Sequence, residues 1–226
     1  MRAVRTPRIK ICCIQSLDEA WLAIDHGACA VGLVSAMPSG PGVISEERIA
    51  DIADAVPPSV GTFLLTSLRS ADEIIGQQRR CRTNTIQVCD TLADGTHREI
   101  RHALPGIHLV QVIHINDEDS IREAVGIAPE VDALLLDSGR PSLPVKELGG
   151  TGRTHDWRIS RKIRQSVDVP VFLAGGLTPA NVARAVREVG PFALDVCSGV
   201  RTDGKLDAVK LKAFFDAAGA ATPVDS

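Results

Sequence analysis

The chain has 226 residues, enough for one large α/β domain whose core needs no covalent staples. Hydrophobic residues make up 44% and aromatics only 3%, with no Tyr, so the core has to come from Val, Ile, Leu and Ala. A net charge of −3 with so few aromatics speaks against a nucleic-acid groove, and no apolar run approaches the roughly 20 residues of a membrane span.

Residues 1–8 carry Arg and Pro without an apolar stretch, so they read as an extension and not as a secretory signal. Six cysteines without paired spacing read as reduced thiols, which suits a cytoplasmic protein. The first predicted strand covers 9–14. Ser16 then reads as a helix N-cap, with Glu19 completing a capping box, and Gly27 ends that helix. Residues 30–34 form the second strand. A Pro/Gly-rich loop, 37–42, leads to a helix from Ser45 with Glu46 and Glu47 in its first turn, where the helix dipole favours acids.

The alternation continues. Strand three is expected at 60–65 and its helix at 70–80. Strand four is expected at 85–88, with a helix at 96–104. Strand five falls at 108–115, with a helix at 118–125. Strand six, 133–136, is followed by a long loop to about Asp156 and a helix to Gln165. Strand seven is expected at 169–173, and its helix at 179–189 with Pro179 in the first turn. Strand eight falls at 193–196 and the last helix at 207–218. Eight β-α units in strict alternation imply a parallel sheet closed as a single (β/α)8 TIM barrel over 9–219, with a tail at 220–226. No Gly-x-Gly-x-x-Gly follows the first strand, which counts against a dinucleotide-binding sheet.

In such a barrel the chemistry sits where strands end in loops. Gly175 and Gly176 follow strand seven, and Ser198 and Gly199 follow strand eight. Glycines let backbone N–H groups approach an anion, so these two loops read as a phosphate site. Gly149, Gly150 and Gly152 lie in the long loop after strand six, which is long enough for a lid. Asp137, directly after three leucines, puts a carboxylate at the barrel rim, where it needs a partner or a task. Cys12 and Cys13 end the first strand. Alternation along a strand puts Cys13 on the face opposite Cys12 and leaves Lys10 on the face of Cys12. Cys12, Cys89 and Cys197 all fall near strand ends, but no tight metal-ligand spacing supports a zinc site, so no metal is expected.

Several motifs together resemble the phosphoribosylanthranilate isomerase family over about residues 9–218. They are Lys10-Ile11-Cys12, Leu135-Leu136-Asp137-Ser138, Gly149-Gly150-Thr151-Gly152-Arg153-Thr154-His155-Asp156-Trp157, Ala174-Gly175-Gly176-Leu177-Thr178-Pro179-Ala180-Asn181-Val182 and Leu194-Asp195-Val196-Cys197-Ser198-Gly199-Val200. The resemblance implies an Amadori rearrangement in tryptophan biosynthesis, without cofactor or metal. It implies Asp137 as general acid and Cys12, as thiolate, as general base. Gly150, Gly152, Gly175, Gly176, Ser198 and Gly199 would hold the substrate phosphate. Lys10, Gln87, Cys89 and Asp195 would contact the rest of the phosphorylated sugar substrate, with Lys10 assisting Cys12. A monomer or weak homodimer is expected.

The sequence departs from the family at three places. Gly42 stands where the family has an Arg that is expected to pair with the anthranilate carboxylate. Cys89-Asp90 stands where it has His-Gly, and Asp90 is expected to repel an anionic aglycone. Cys13 stands where it usually has Gly and competes with Cys12 as base. Arg140 and Arg153 in the long loop could replace the missing cation. Two other readings stay open: a related barrel acting on a different phosphoribosyl or sugar-phosphate compound, and a barrel that binds a phosphorylated ligand without catalysis.

Overall fold

The computed structural model describes residues 8–150 and 152–221. Thr151, the first seven residues of the expected N-terminal extension and the tail from 222 onward lie outside the described residues. Eight parallel strands close into a barrel in sequence order. They are β1 (Arg8–Ile11), β2 (Ala30–Val34), β3 (Gly61–Thr66), β4 (Thr85–Val88), β5 (His108–His114), β6 (Ala133–Asp137), β7 (Val171–Leu173) and β8 (Ala193–Val196). The helices that follow them are α1 (Leu17–Asp25), α2 (Glu46–Ala55), α3 (Ala71–Cys81), α4 (His97–Ala103), α5 (Asp119–Ile127), α6 (Trp157–Ser166), α7 (Val182–Val189) and α8 (Ala208–Gly219). Among the described residues no helix is long and apolar enough to cross a membrane.

Strands covered on both faces must be apolar on both, and β2, β4 and β6 are buried along their whole length. The residues pointing outward, such as Ile11, Leu33, Leu64, Ile86, Ile113 and Leu136, pack under the helices in the larger core. The inward residues form a second core inside the barrel. There Ala30, Ala133 and Ala193 leave room for Phe63 and Phe172, whose ring centres lie 5.8 Å apart. This division of large and small side chains fills the barrel below the carboxyl ends of its strands.

Four local expectations change. The first strand ends at Ile11 and not at 14, because Cys13 turns into the left-handed region at φ 61°. Strand seven begins at Val171, after Pro170, which has no N–H to give to a ladder but still accepts from Leu134 N at 3.0 Å. The helix expected from 179 begins at Val182. Asn181 Nδ2 donates to Gly176 O and its Oδ1 accepts from Thr178 N, so the side chain holds the preceding segment as a turn. The capping box at Ser16 is half formed: Ser16 Oγ accepts from Glu19 N, but the Glu19 carboxylate reaches Gln15 N and Arg201 instead. A complete box forms between Thr96 and Glu99.

Two short strands, β9 (Arg201–Thr202) and β10 (Lys205–Leu206), make a hairpin before α8. Its turn is Asp203-Gly204, both at positive φ, the geometry that this residue pair favours.

Candidate active site

A cavity opens at the carboxyl ends of the strands. Its floor and walls include Cys12, Cys13, Gln87, Cys89, Asp137 and Asp195, and its opposite side is formed by Gly175, Gly176 and Ser198. Gly150 and Gly152 contribute from the loop after β6. Of the residues to which the resemblance gives a catalytic or substrate-binding role, Lys10 and Gly199 are not on the cavity wall.

Gly199 acts through packing. A Cβ there would overlap the Leu177 carbonyl, so only glycine lets the loops after β7 and β8 touch. Gly175 and Gly176 both have positive φ, at 81° and 61°. A Cβ on Gly176 would stand 2.7 Å from Thr154 N, so the backbone of the lid loop lies directly against the loop after β7.

Lys10 lies beneath the floor. It is fully buried and its Nζ donates to Asp195 Oδ1 at 2.9 Å, over the ring of Phe63. Burial works against its charge, but Asp195 and the nearby thiols more than offset this and hold its pKa above the usual lysine value. The role expected of Lys10 as a direct substrate contact therefore gives way to one exerted through its neighbours. Gly32 makes this arrangement possible: a Cβ there would stand 3.0 Å from both Lys10 Nζ and Cys12 Sγ.

Cys13 does not face away from the cavity. The parity argument assumed that the strand continued, and the turn at Ile11 ends it, so both thiols line the same space. Hydrogen bonding with Cys12 and Cys197, together with burial, pushes the Cys13 thiol well up, whereas Cys197 is lowered by its bond with Cys13 and by Arg201 nearby. The upward direction disfavours a Cys13 thiolate. Burial also raises the Cys89 thiol.

Arg201 was not read from the sequence. Its guanidinium donates to the carbonyls of Cys12 and Cys13 and pairs with Glu19 at 2.8 Å, so the turn carrying the thiols is braced from behind. The one local signal was the Asp-Gly hairpin that follows it.

Asp137 ends β6 and is buried, which raises its pKa, while a hydrogen bond from Ser138 N at 2.7 Å and the nearby His114 work in the opposite sense. A Cβ on Gly149 would stand 2.7 Å from Asp137 Oδ2, so the lid glycine permits close cover of the acid. His114 pairs in register with Asp137, and its Nε2 donates to Cys89 O at 2.9 Å. It too was not singled out in the sequence. His155 Nε2 lies 2.7 Å from Ser160 Oγ, and burial lowers its pKa to about 4.

The expected repulsion by Asp90 does not arise in the cavity. Asp90 is off its wall, paired with Lys146 and 3.6 Å from Arg69. Arg153 pairs with Glu147, the backbone of Arg140 bridges to the same residue, and neither arginine lines the cavity. Ser39 Oγ donates to Lys146 O at 2.7 Å and ties that lid to the loop after β2. Among the described residues no group of His, Cys, Asp or Glu is arranged to hold a metal ion.

The fold and cavity define a (β/α)8 barrel with a small-molecule site at the carboxyl ends of its strands, lined on one side by glycine loops. Residues 9–217 match the family described as N-(5'phosphoribosyl)anthranilate (PRA) isomerase, and the chain belongs to that family. It is 36% identical to the N-(5'-phosphoribosyl)anthranilate isomerase of Halobacterium salinarum, over 96% of this chain and 97% of that one. It is 32% identical to the enzyme of the same name from Methanocella arvoryzae, over 90% of this chain and 93% of that one. Its fold is similar to the crystal structure of phosphoribosyl anthranilate isomerase from Thermotoga maritima, with a TM-score of 0.77 and 29% identity over 94% of this chain and 98% of that one. A further solved isomerase at 28% identity and a TM-score of 0.74, matched over 94% of this chain and 98% of that one, is in complex with reduced 1-(o-carboxyphenylamino)-1-deoxyribulose 5-phosphate.

Proposed function

We propose that this protein catalyses the Amadori rearrangement of N-(5-phosphoribosyl)anthranilate to the carboxyphenylamino-deoxyribulose 5-phosphate, a step of tryptophan biosynthesis. The observation that carries the reading is one cavity holding Cys12, Asp137 and the glycine loops together. The N–H groups of the loops after β7 and β8 take the phosphate, with Gly150 and Gly152 covering it. Asp137, whose pKa is raised by burial, gives its proton to the ribose ring oxygen, and the nitrogen lone pair opens the ring to a protonated imine. The Cys12 thiolate removes the proton from C2, giving a neutral enolamine; protonation at C1 and loss of the enol proton give the aminoketone, the thiol supplying the first proton and Asp137 taking the second, which restores both groups. Asp195 and Gln87 accept from the sugar hydroxyls.

C1 is reduced and C2 oxidised within one molecule, so the reaction needs no external oxidant and no redox cofactor. The protein works in the cytoplasm as a monomer or weak homodimer. The test is turnover of freshly generated phosphoribosylanthranilate, followed by its fluorescence, with Cys12→Ala and Asp137→Ala alongside. Turnover that is lost in both variants is expected. Wild-type turnover that persists in either would remove that residue from the mechanism.

A further inference from the structure

Three thiols meet at the seam where β1 and β8 close the barrel. Ile11 pairs in register with Val196, and Cys12 N donates to Val196 O at 2.8 Å, so Cys12, Cys13 and Cys197 leave the two strands side by side. All three are free and line the cavity, Cys12 and Cys13 buried and Cys197 half-buried. The Cys13 thiol hydrogen-bonds with the sulfurs of Cys12 and Cys197. A Cβ on Gly42 would stand 2.5 Å from Cys13 Cβ and 3.3 Å from its Sγ, so the loop after β2 leaves that sulfur little room to swing away.

The rearrangement uses only Cys12 of the three. The other two differ as a reactive thiol differs from its resolving partner. Cys197 is the more exposed, and its bond with Cys13, followed by the charge of Arg201, holds its pKa below the usual thiol value. A thiolate attacks peroxides, and the sulfenic acid it becomes condenses with a second thiol in reach. A link between Cys12 and Cys13 is the poorer outcome, because Cα atoms joined by a trans peptide are about 3.8 Å apart and a disulfide spans roughly 4.4 to 6.8 Å.

We propose that Cys13 and Cys197 are an oxidisable pair that hydroperoxides convert to a disulfide, linking the turn that carries Cys12 to the loop after β8. The Cys197 sulfur attacks the O–O bond, takes one oxygen as a sulfenic acid and releases the other as hydroxide or alkoxide. The Cys13 sulfur then attacks the Cys197 sulfur. The S–O bond breaks, the S–S bond forms, and the hydroxyl leaves as water with the Cys13 proton. Two electrons pass from the sulfurs to the peroxide, and a small thiol reductant returns them. Ser198 follows Cys197 directly, so the link pulls on the proposed phosphate loop and on the proposed base at once, and turnover stops.

The fully reduced, intact protein is treated with stoichiometric hydrogen peroxide, and its mass and non-reducing peptide map are read. A product lighter by two hydrogens is expected, with the peptides that carry Cys13 and Cys197 joined, and dithiothreitol reverses it. Cys197→Ser is expected to slow peroxide consumption roughly tenfold and to abolish the link. Cys13→Ser should leave Cys197 as a sulfenic acid that dimedone traps, and Cys12→Ser should form the link as the wild type does. Absence of the joined peptides in the wild type, or a map that joins Cys12 to either neighbour, overturns the proposal. These readouts are masses, so they stand whether or not the isomerase reading does. Where phosphoribosylanthranilate is turned over, activity should fall as the link forms and return with dithiothreitol, and full activity in the cross-linked protein would overturn the inactivation.

Discussion

Lys10 of β1 and Asp195 of β8 are register partners across the seam where the barrel closes, and their side chains meet at 2.9 Å with 0% and 6% of their surface exposed. A buried pair of this kind does more harm when halved than good when whole, because the surviving charge has no water. Lys10→Met is therefore expected to cost about 3 to 5 kcal/mol of stability, measured by urea unfolding. Lys10→Met combined with Asp195→Asn should recover part of that loss. Equal stability of the single and double variants would show that the pair is not coupled.

Gly32→Ala tests the packing that seats Cys12. The added methyl would stand 3.0 Å from Cys12 Sγ and 3.2 Å from Cys12 Cα, a distance that forces the turn to move. Displacing the proposed base by a fraction of an ångström should lower kcat/KM roughly 10- to 100-fold while leaving phosphate affinity nearly unchanged. Steady-state kinetics with inorganic phosphate as competitor separates the two effects.

Asp137→Asn should lower turnover roughly 100- to 10,000-fold, as expected for a lost general acid. Its effect on stability has a definite sign. Burial first, partly opposed by the Ser138 hydrogen bond, places the folded pKa above the ordinary 3.8. The stability linked to the neutral acid is complete below 3.8 and is lost as pH rises through the folded value. Asn carries no such loss. The Tm difference between variant and wild type should move in favour of the variant as pH rises above the ordinary carboxylate value of 3.8. A difference that does not change with pH would contradict the burial argument.

His155 gives the opposite slope. Burial drops its pKa from 6.5 to about 4, so the unfolded chain binds a proton that the folded one refuses between those values. Stability should fall by up to about 3 kcal/mol as pH drops from 6.5 toward 4. In His155→Asn this part of the acid dependence should disappear from the melting curves.

The barrel was legible because each β-α unit announces itself locally, through an apolar run, a cap and a turn. Thr85–Val88 and Ala193–Val196 have the bounds expected from the sequence. The glycine loops were legible for the same reason. What escaped was non-local. The face of Cys13 depended on where β1 stops, and that is set by a positive φ at Cys13 and a brace from Arg201, far along the chain. The start of α7 depended on an Asn181 side chain bonding backwards to Gly176 and Thr178, a choice that the Pro179 signal could not reveal. Asp90 looked like a source of repulsion until Lys146, on another loop, was seen to neutralise it.

The brace from Arg201 to the carbonyls of Cys12 and Cys13 also sets a schedule for biosynthesis. The thiols leave the ribosome well before the guanidinium that positions them, which lies 188 residues after Cys13. A growing chain can pair its early strands and even bind an anion poorly, but its thiol turn stays unset until the final hairpin emerges. Catalytic competence therefore arrives with barrel closure, and no amino-terminal fragment ending before β9 should show it.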